Sequence, residues 1–102
     1  MNAYVDIFGD AIKEGDYILY SVAAGRAAIL KFGRVERLGE WGEEKAVYAL
    51  SVDYWPGYRS GNPRYDLQNN GKPVPLKMSE RIAIIDPPKV PKGVLDAMSK
   101  GA

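Results

Sequence analysis

Between residues 12 and 38 the chain is rich in β-branched and aromatic side chains, opens through a Gly15-Asp16 turn and is interrupted at Gly33. A period of two places Ile18, Tyr20 and Val22 on one side of an extended strand and Tyr17, Leu19 and Ser21 on the other, with the even-numbered side the more apolar. Leu30 and Phe32 share a face before Gly33, whereas Val35 and Leu38 are the apolar positions after it. A one-residue slip of this kind predicts a bulge or sharp bend at Gly33. Long strands bend at such points when a small sheet closes on itself. The stretch therefore predicts the opening hairpin of a small barrel, an architecture that binds through loops and strand edges more often than it performs chemistry.

The chain has 102 residues, 46% hydrophobic and 26% charged, which fits one globular domain with a core of its own. No apolar run approaches the roughly 18 residues of a membrane span, and the N-terminal residues show no basic region leading into an apolar segment. Cysteine and histidine are both absent. Disulfides and thiolate chemistry are excluded, as are the usual base near neutral pH, the commonest metal ligand and the partner of a catalytic serine. The glycines form neither a Walker loop nor a Rossmann fingerprint, and the carboxylates lack calcium-loop spacing. A cytoplasmic, non-enzymatic protein without cofactor or metal is the expectation. A small carboxylate-based ligand-binding or hydrolase barrel is the least favoured class.

Residues 45–55 alternate Ala46, Tyr48, Leu50 and Val52 with Val47, Ala49, Ser51 and Asp53, apolar enough on both faces to predict a central strand. Residues 56–75, dense in proline and glycine and holding the Asn69-Asn70 pair, predict a long irregular loop. Beyond it, residues 74–78 predict an edge strand and residues 81–85 the last strand. Residues 1–90 thus make one mainly β domain, a five-stranded barrel, and residues 91–102 a tail or a short helix using Val94, Leu95 and Met98. The carboxylates Asp6, Asp10, Glu14 and Asp16 are expected to cap turns.

The run Gly15-Asp16-Tyr17-Ile18-Leu19-Tyr20, followed by Gly33-Arg34-Val35, resembles the SH3-like barrels of the KOW and Tudor kind. Phe8-Gly9, Ile12, and Glu80-Arg81-Ile82-Ala83-Ile84-Ile85 make the chain similar to small uncharacterised proteins of tailed bacteriophages. Ala23-Ala24-Gly25-Arg26 stands where a KOW motif has a glycine-proline-phenylalanine turn, which weakens any inference of ribosome or polymerase binding. The resemblance implies a small barrel and a phage accessory protein acting in the host cytoplasm.

The densest functional constellation is Tyr54, Trp55, Tyr58, Arg59, Arg64 and Tyr65. It sets four aromatic rings and two guanidiniums within twelve residues. Planar apolar area beside charge makes protein-interface hot spots and also stacks on nucleic-acid bases. Two partners follow: a host or phage protein held by these six residues or, as the alternative, nucleic acid held by the same aromatics with Arg59, Arg64, Lys72 and Lys77. Residues 1–44 carry a net charge of −3 and residues 57–92 one of +4, yet the chain totals only +1, low for a dedicated nucleic-acid binder.

Overall fold

A computed structural model describes residues 4–24, 27–55, 61–77 and 82–99. Strands β1 (Tyr17–Ala24), β2 (Ala27–Trp41) and β3 (Glu44–Trp55) form an antiparallel meander, followed by β4 (Arg64–Leu67), β5 (Val74–Lys77), β6 (Ile82–Ile85) and helix α1 (Lys92–Ser99). The sheet order is β4-β3-β2-β1-β6, with β5 also on β3. The outer edge of β3 is shared, since β4 pairs with residues 52–55 and β5 with residues 46–49. The molecule is mainly β, and the described residues form six strands rather than five. No ladder joins β6 to β4 or β5 among them, so the sheet is open.

The central position expected of β3 holds: Ala46, Val47, Ala49, Leu50, Ser51, Val52 and Asp53 are all buried. The even-numbered face of β1 supplies Ile18 and Tyr20 to a core that also contains Ile12, Val35, Val47, Ala49, Leu76 and Ile82. Leu76 and Ile82 come from strands at opposite sides of the sheet, so the sheet is strongly curled around this cluster. Its convex face is covered separately. Pro91 O starts α1 by accepting from Val94 N (3.0 Å), and the helix lays Val94, Ala97 and Met98 over Val52 with Val90. Tyr17, Phe32, Tyr65, Leu67 and Ile85 pack around them. Each fully buried aliphatic side chain here contributes about 1.5–3 kcal/mol, enough to hold a helix too short to persist alone. Leu95, expected on the apolar face of the helix, is instead 38% exposed.

The bend in β2 is displaced from its expected position. Gly33 keeps regular pairing with Ile18 and Ser51, and the register shifts between Val35 and Arg37, leaving Glu36 as the extra residue. The apolar phase changes across this bulge because an inserted residue turns every later side chain to the other face. Gly33 meets a packing demand: a Cβ there would lie 3.1 Å from both Ile18 Cγ1 and Leu50 O.

Two acidic residues tie down the N-terminal segment. Asp16 Oδ2 accepts from Lys13 N (2.8 Å), closing the turn before β1. Asp6 Oδ1 accepts from Phe8 N and Asp10 N (both 2.9 Å), and its Oδ2 from Ile84 N (3.1 Å). With Ile7 N donating to Ile82 O (2.9 Å), this turn covers part of the β6 edge. Burial pushes the Asp6 carboxyl up, but the four backbone N–H groups of Ile84, Asp10, Phe8 and Gly9 outweigh it and leave the pKa below its ordinary value.

Candidate functional site

The β3–β4 ladder decides which side chains of the aromatic constellation can meet a partner. Tyr54 lies opposite Tyr65 and Trp55 opposite Arg64, and successive residues of a strand point to opposite faces. The two pairs therefore separate. The Tyr54 and Tyr65 rings lie 5.6 Å apart on the helix-covered face, where Tyr54 also meets Phe32 edge-on at 6.3 Å. Tyr65 rests on Gly93 of α1, and a methyl group there would fall inside its ring at Cδ2 and Cε2. Burial, and then the neighbouring Tyr54, raise the Tyr65 phenol pKa. Tyr65 thus packs on the helix, and Tyr54 stands beside it.

Trp55 and Arg64 lie on the concave face. The guanidinium carbon sits 5.6 Å from the Trp55 ring centre, and Arg64 Nε donates to Asp66 Oδ2 (2.9 Å). The Arg64 side chain is 68% exposed, and Trp55 exposes about a third of its surface (36%). Tyr58 and Arg59 lie outside the described residues. Lys72 is exposed beside the β4–β5 connection, while Lys77 pairs with Glu44 (2.9 Å). The four residues Tyr54, Trp55, Arg64 and Tyr65 are thus neighbours across the β3–β4 ladder, in two pairs on opposite faces.

Residues 64–71 are ordered for a reason the loop expectation passed over. Arg64-Tyr65-Asp66-Leu67 alternates and completes the edge of β3, and Gln68 N then donates to Ser51 O (2.8 Å). Asn69, Asn70 and Gly71 follow with φ of +56°, +53° and +79°, a left-handed turn closed by Gly71 N to Gln68 O (3.1 Å) and Lys72 N to Asn69 O (3.0 Å). Asparagine and glycine tolerate this region better than other residues, so the Asn-Asn-Gly run specifies a structure here.

A cleft of about 480 Å³ opens on the concave face between this turn and the β1–β2 ribbon, lined by Val22, Lys31, Ser51, Gln68, Asn69 and Pro75 among others. Beneath it Tyr20 Oη and Ser51 Oγ share a buried hydrogen bond of 2.6 Å. Lys31 Nζ lies 3.1 Å from Asp53 Oδ1, with side chains 20% and 10% exposed. That oxygen is buried and has no hydrogen bond of good geometry, so the Lys31 contact engages it through charge alone. Sequence reasoning did not pick out Lys31, Ser51, Asp53, Gln68 or Asn69. The available signal was Ser51 and Asp53 on an otherwise apolar central strand, because buried polar groups persist only where something satisfies them.

Among the described residues no group of three or more carboxylates is placed to hold a metal ion, and no helix is long and apolar enough to cross a membrane. Comparison of the chain with protein-family models, with curated proteins and with solved structures finds no match.

Proposed function

We propose that this chain is a non-enzymatic interaction module that binds a protein partner through the Trp55–Arg64 face. The observation that carries the reading is the cross-strand placement of Trp55 and Arg64 on the concave face, solvent-accessible, while Tyr54 and Tyr65 anchor the opposite face. Tryptophan and arginine are both among the residue types enriched at interface hot spots. A protein partner is favoured over nucleic acid because two of the three described basic residues put forward for phosphate contact are already paired, Arg64 with Asp66 and Lys77 with Glu44. Phosphate binding would have to displace those carboxylates. The SH3-like reading rests on the sequence resemblance, and the pairing of β6 with β1 and of β5 with β3 at either side of the β1–β2–β3 meander is compatible with it. A phage accessory role in the host cytoplasm, with a host or phage protein as partner, rests on the sequence resemblance.

The test is capture from nuclease-treated host lysate by the full chain and by Trp55→Leu/Arg64→Ala. A protein retained by the wild type and lost by the variant is the expected outcome. Retention that disappears with nuclease, or that falls roughly a thousandfold as salt rises from about 50 to about 200 mM, would instead identify a nucleic-acid binder.

A further inference from the structure

The cleft bounded by the Asn69–Gly71 turn and the β1–β2 ribbon is not needed by the Trp55–Arg64 reading, yet it opens on the same concave face. Its floor is polar and its wall apolar. Lys31, Ser51, Gln68 and Asn69 provide the polar groups, and Val74 and Pro75 belong to the apolar side. We infer that the cleft takes an uncharged, extended peptide segment of the partner, with backbone amides against the floor and one apolar side chain against the wall. This rests on the reading of the chain as a protein-binding module.

Three observations carry the assignment. The first is electrostatic: Lys31, the only charged side chain lining the cleft among the described residues, is already paired with the buried Asp53. A net anion would have to compete with the Asp53 carboxylate for the Lys31 ammonium, and a net cation would be repelled by that ammonium in a partly desolvated site. A neutral dipolar group meets neither penalty. The second is the hydrogen-bonding inventory. The Lys31 ammonium carries three N–H donors and pairs with Asp53 through charge, and the carboxamides of Gln68 and Asn69 each pair a donor with an acceptor as a peptide group does. These two carboxamides are held by their own contacts, Gln68 Nε2 to Asp66 O and Asn69 Nδ2 to Lys72 O (both 3.3 Å). Among the described residues neither side-chain carbonyl accepts a hydrogen bond.

The third observation is shape. A volume near 480 Å³ falls within the roughly 300–1,000 Å³ of ligand-binding clefts, and its rim is the left-handed turn. The turn's hydrogen bonds, Gly71 N to Gln68 O and Lys72 N to Asn69 O, fix how Gln68 and Asn69 are presented at that rim.

A displayed library of random heptapeptides, selected on the immobilised full chain, tests this directly. Enriched peptides should have uncharged central residues with one apolar position. Their affinities, measured on synthetic peptides by fluorescence polarisation, should change less than about threefold between about 50 and about 500 mM salt. Val74→Asp should weaken binding by about tenfold or more. Because Val74 also touches the core, Gln68→Ala/Asn69→Gly serves as the second variant: glycine keeps the positive φ, so the turn survives while both carboxamides are lost. No enrichment over an unrelated protein, a charged consensus, or binding indifferent to both variants would overturn the assignment. If the cleft variants retain the captured partner while Trp55→Leu/Arg64→Ala loses it, the cleft assignment fails and the interaction-module reading stands. If neither set of variants affects capture, both fail.

Discussion

Gly93→Ala is the substitution for which two opposing effects can be weighed against each other. In an exposed helix, replacing glycine by alanine stabilises by about 0.5–1 kcal/mol, since the unfolded chain has less freedom to lose. In α1 the added methyl group would fall on Cδ2 and Cε2 of Tyr65 and lie 3.2 Å from its Cγ, close to the root of the ring. Rotation of the ring alone does not clear Cγ, and Tyr54 stands 5.6 Å away on the same face. Either the ring or the helix must shift, and overpacking of this kind costs about 1–3 kcal/mol. The net expectation is destabilisation by about 1–2 kcal/mol, a fall in Tm of about 4–10 °C for a chain of this size. Tyr65→Ala removes the obstacle, so in that background Gly93→Ala should raise Tm. The assay is a double-mutant cycle by thermal and urea unfolding, and its signature is this reversal of sign. A rise in Tm for Gly93→Ala in the wild-type background would refute the packing of Tyr65 on α1.

Asp6→Asn should cost about 1–3 kcal/mol, since it turns an amide toward one of the backbone N–H groups that the carboxylate now satisfies; urea unfolding reads this out. The folded carboxyl titrates below its ordinary 3.8, so its contribution is complete above that value and is lost as pH falls through the folded pKa. The wild type should therefore lose stability relative to Asp6→Asn in acid, below about pH 4. Gly33→Val should destabilise by about 1–3 kcal/mol through pressure on Ile18 and the Leu50 carbonyl, and an unchanged Tm would refute that contact. Lys31→Met should cost about 3 kcal/mol by leaving Asp53 buried without its countercharge, and Lys31→Met/Asp53→Leu should recover most of the loss in the same unfolding assay.

The parts of this fold that were legible in the sequence are those where local alternation is strong. The even-numbered face of β1, the Gly15-Asp16 turn, the two-sided burial of β3 and the short C-terminal helix follow from periods of two and from turn chemistry. What was not legible depended on register. The phase change in β2 was visible, but its position at Glu36 rather than Gly33 is fixed by pairing with β3, while Gly33 is fixed by its closeness to Ile18. Residues 64–67 read as loop because prolines and glycines surround them, and they become a strand only because β3 offers an unpaired edge there. The aromatic constellation was found as a group, yet its division into an anchoring pair and an exposed pair needs the opposition of Tyr54 to Tyr65 and of Trp55 to Arg64. Leu95 turned outward for a related reason, because Ala97 rather than Leu95 joins Val94 and Met98 in the buried cluster.

The division of the aromatic constellation is the central claim, and one paired measurement tests it: Tm and partner affinity for Trp55→Leu/Arg64→Ala beside those for Tyr65→Ala. The concave-face variant should stay within about 1 kcal/mol of wild-type stability and lose about tenfold or more in affinity, as expected for a solvent-accessible hot spot. Tyr65→Ala should lose about 2–4 kcal/mol of stability, as expected for a ring packed between β3 and α1. A concave-face variant that unfolds readily while keeping its partner, with Tyr65→Ala stable, would contradict the account and move the binding surface to the helix-covered face.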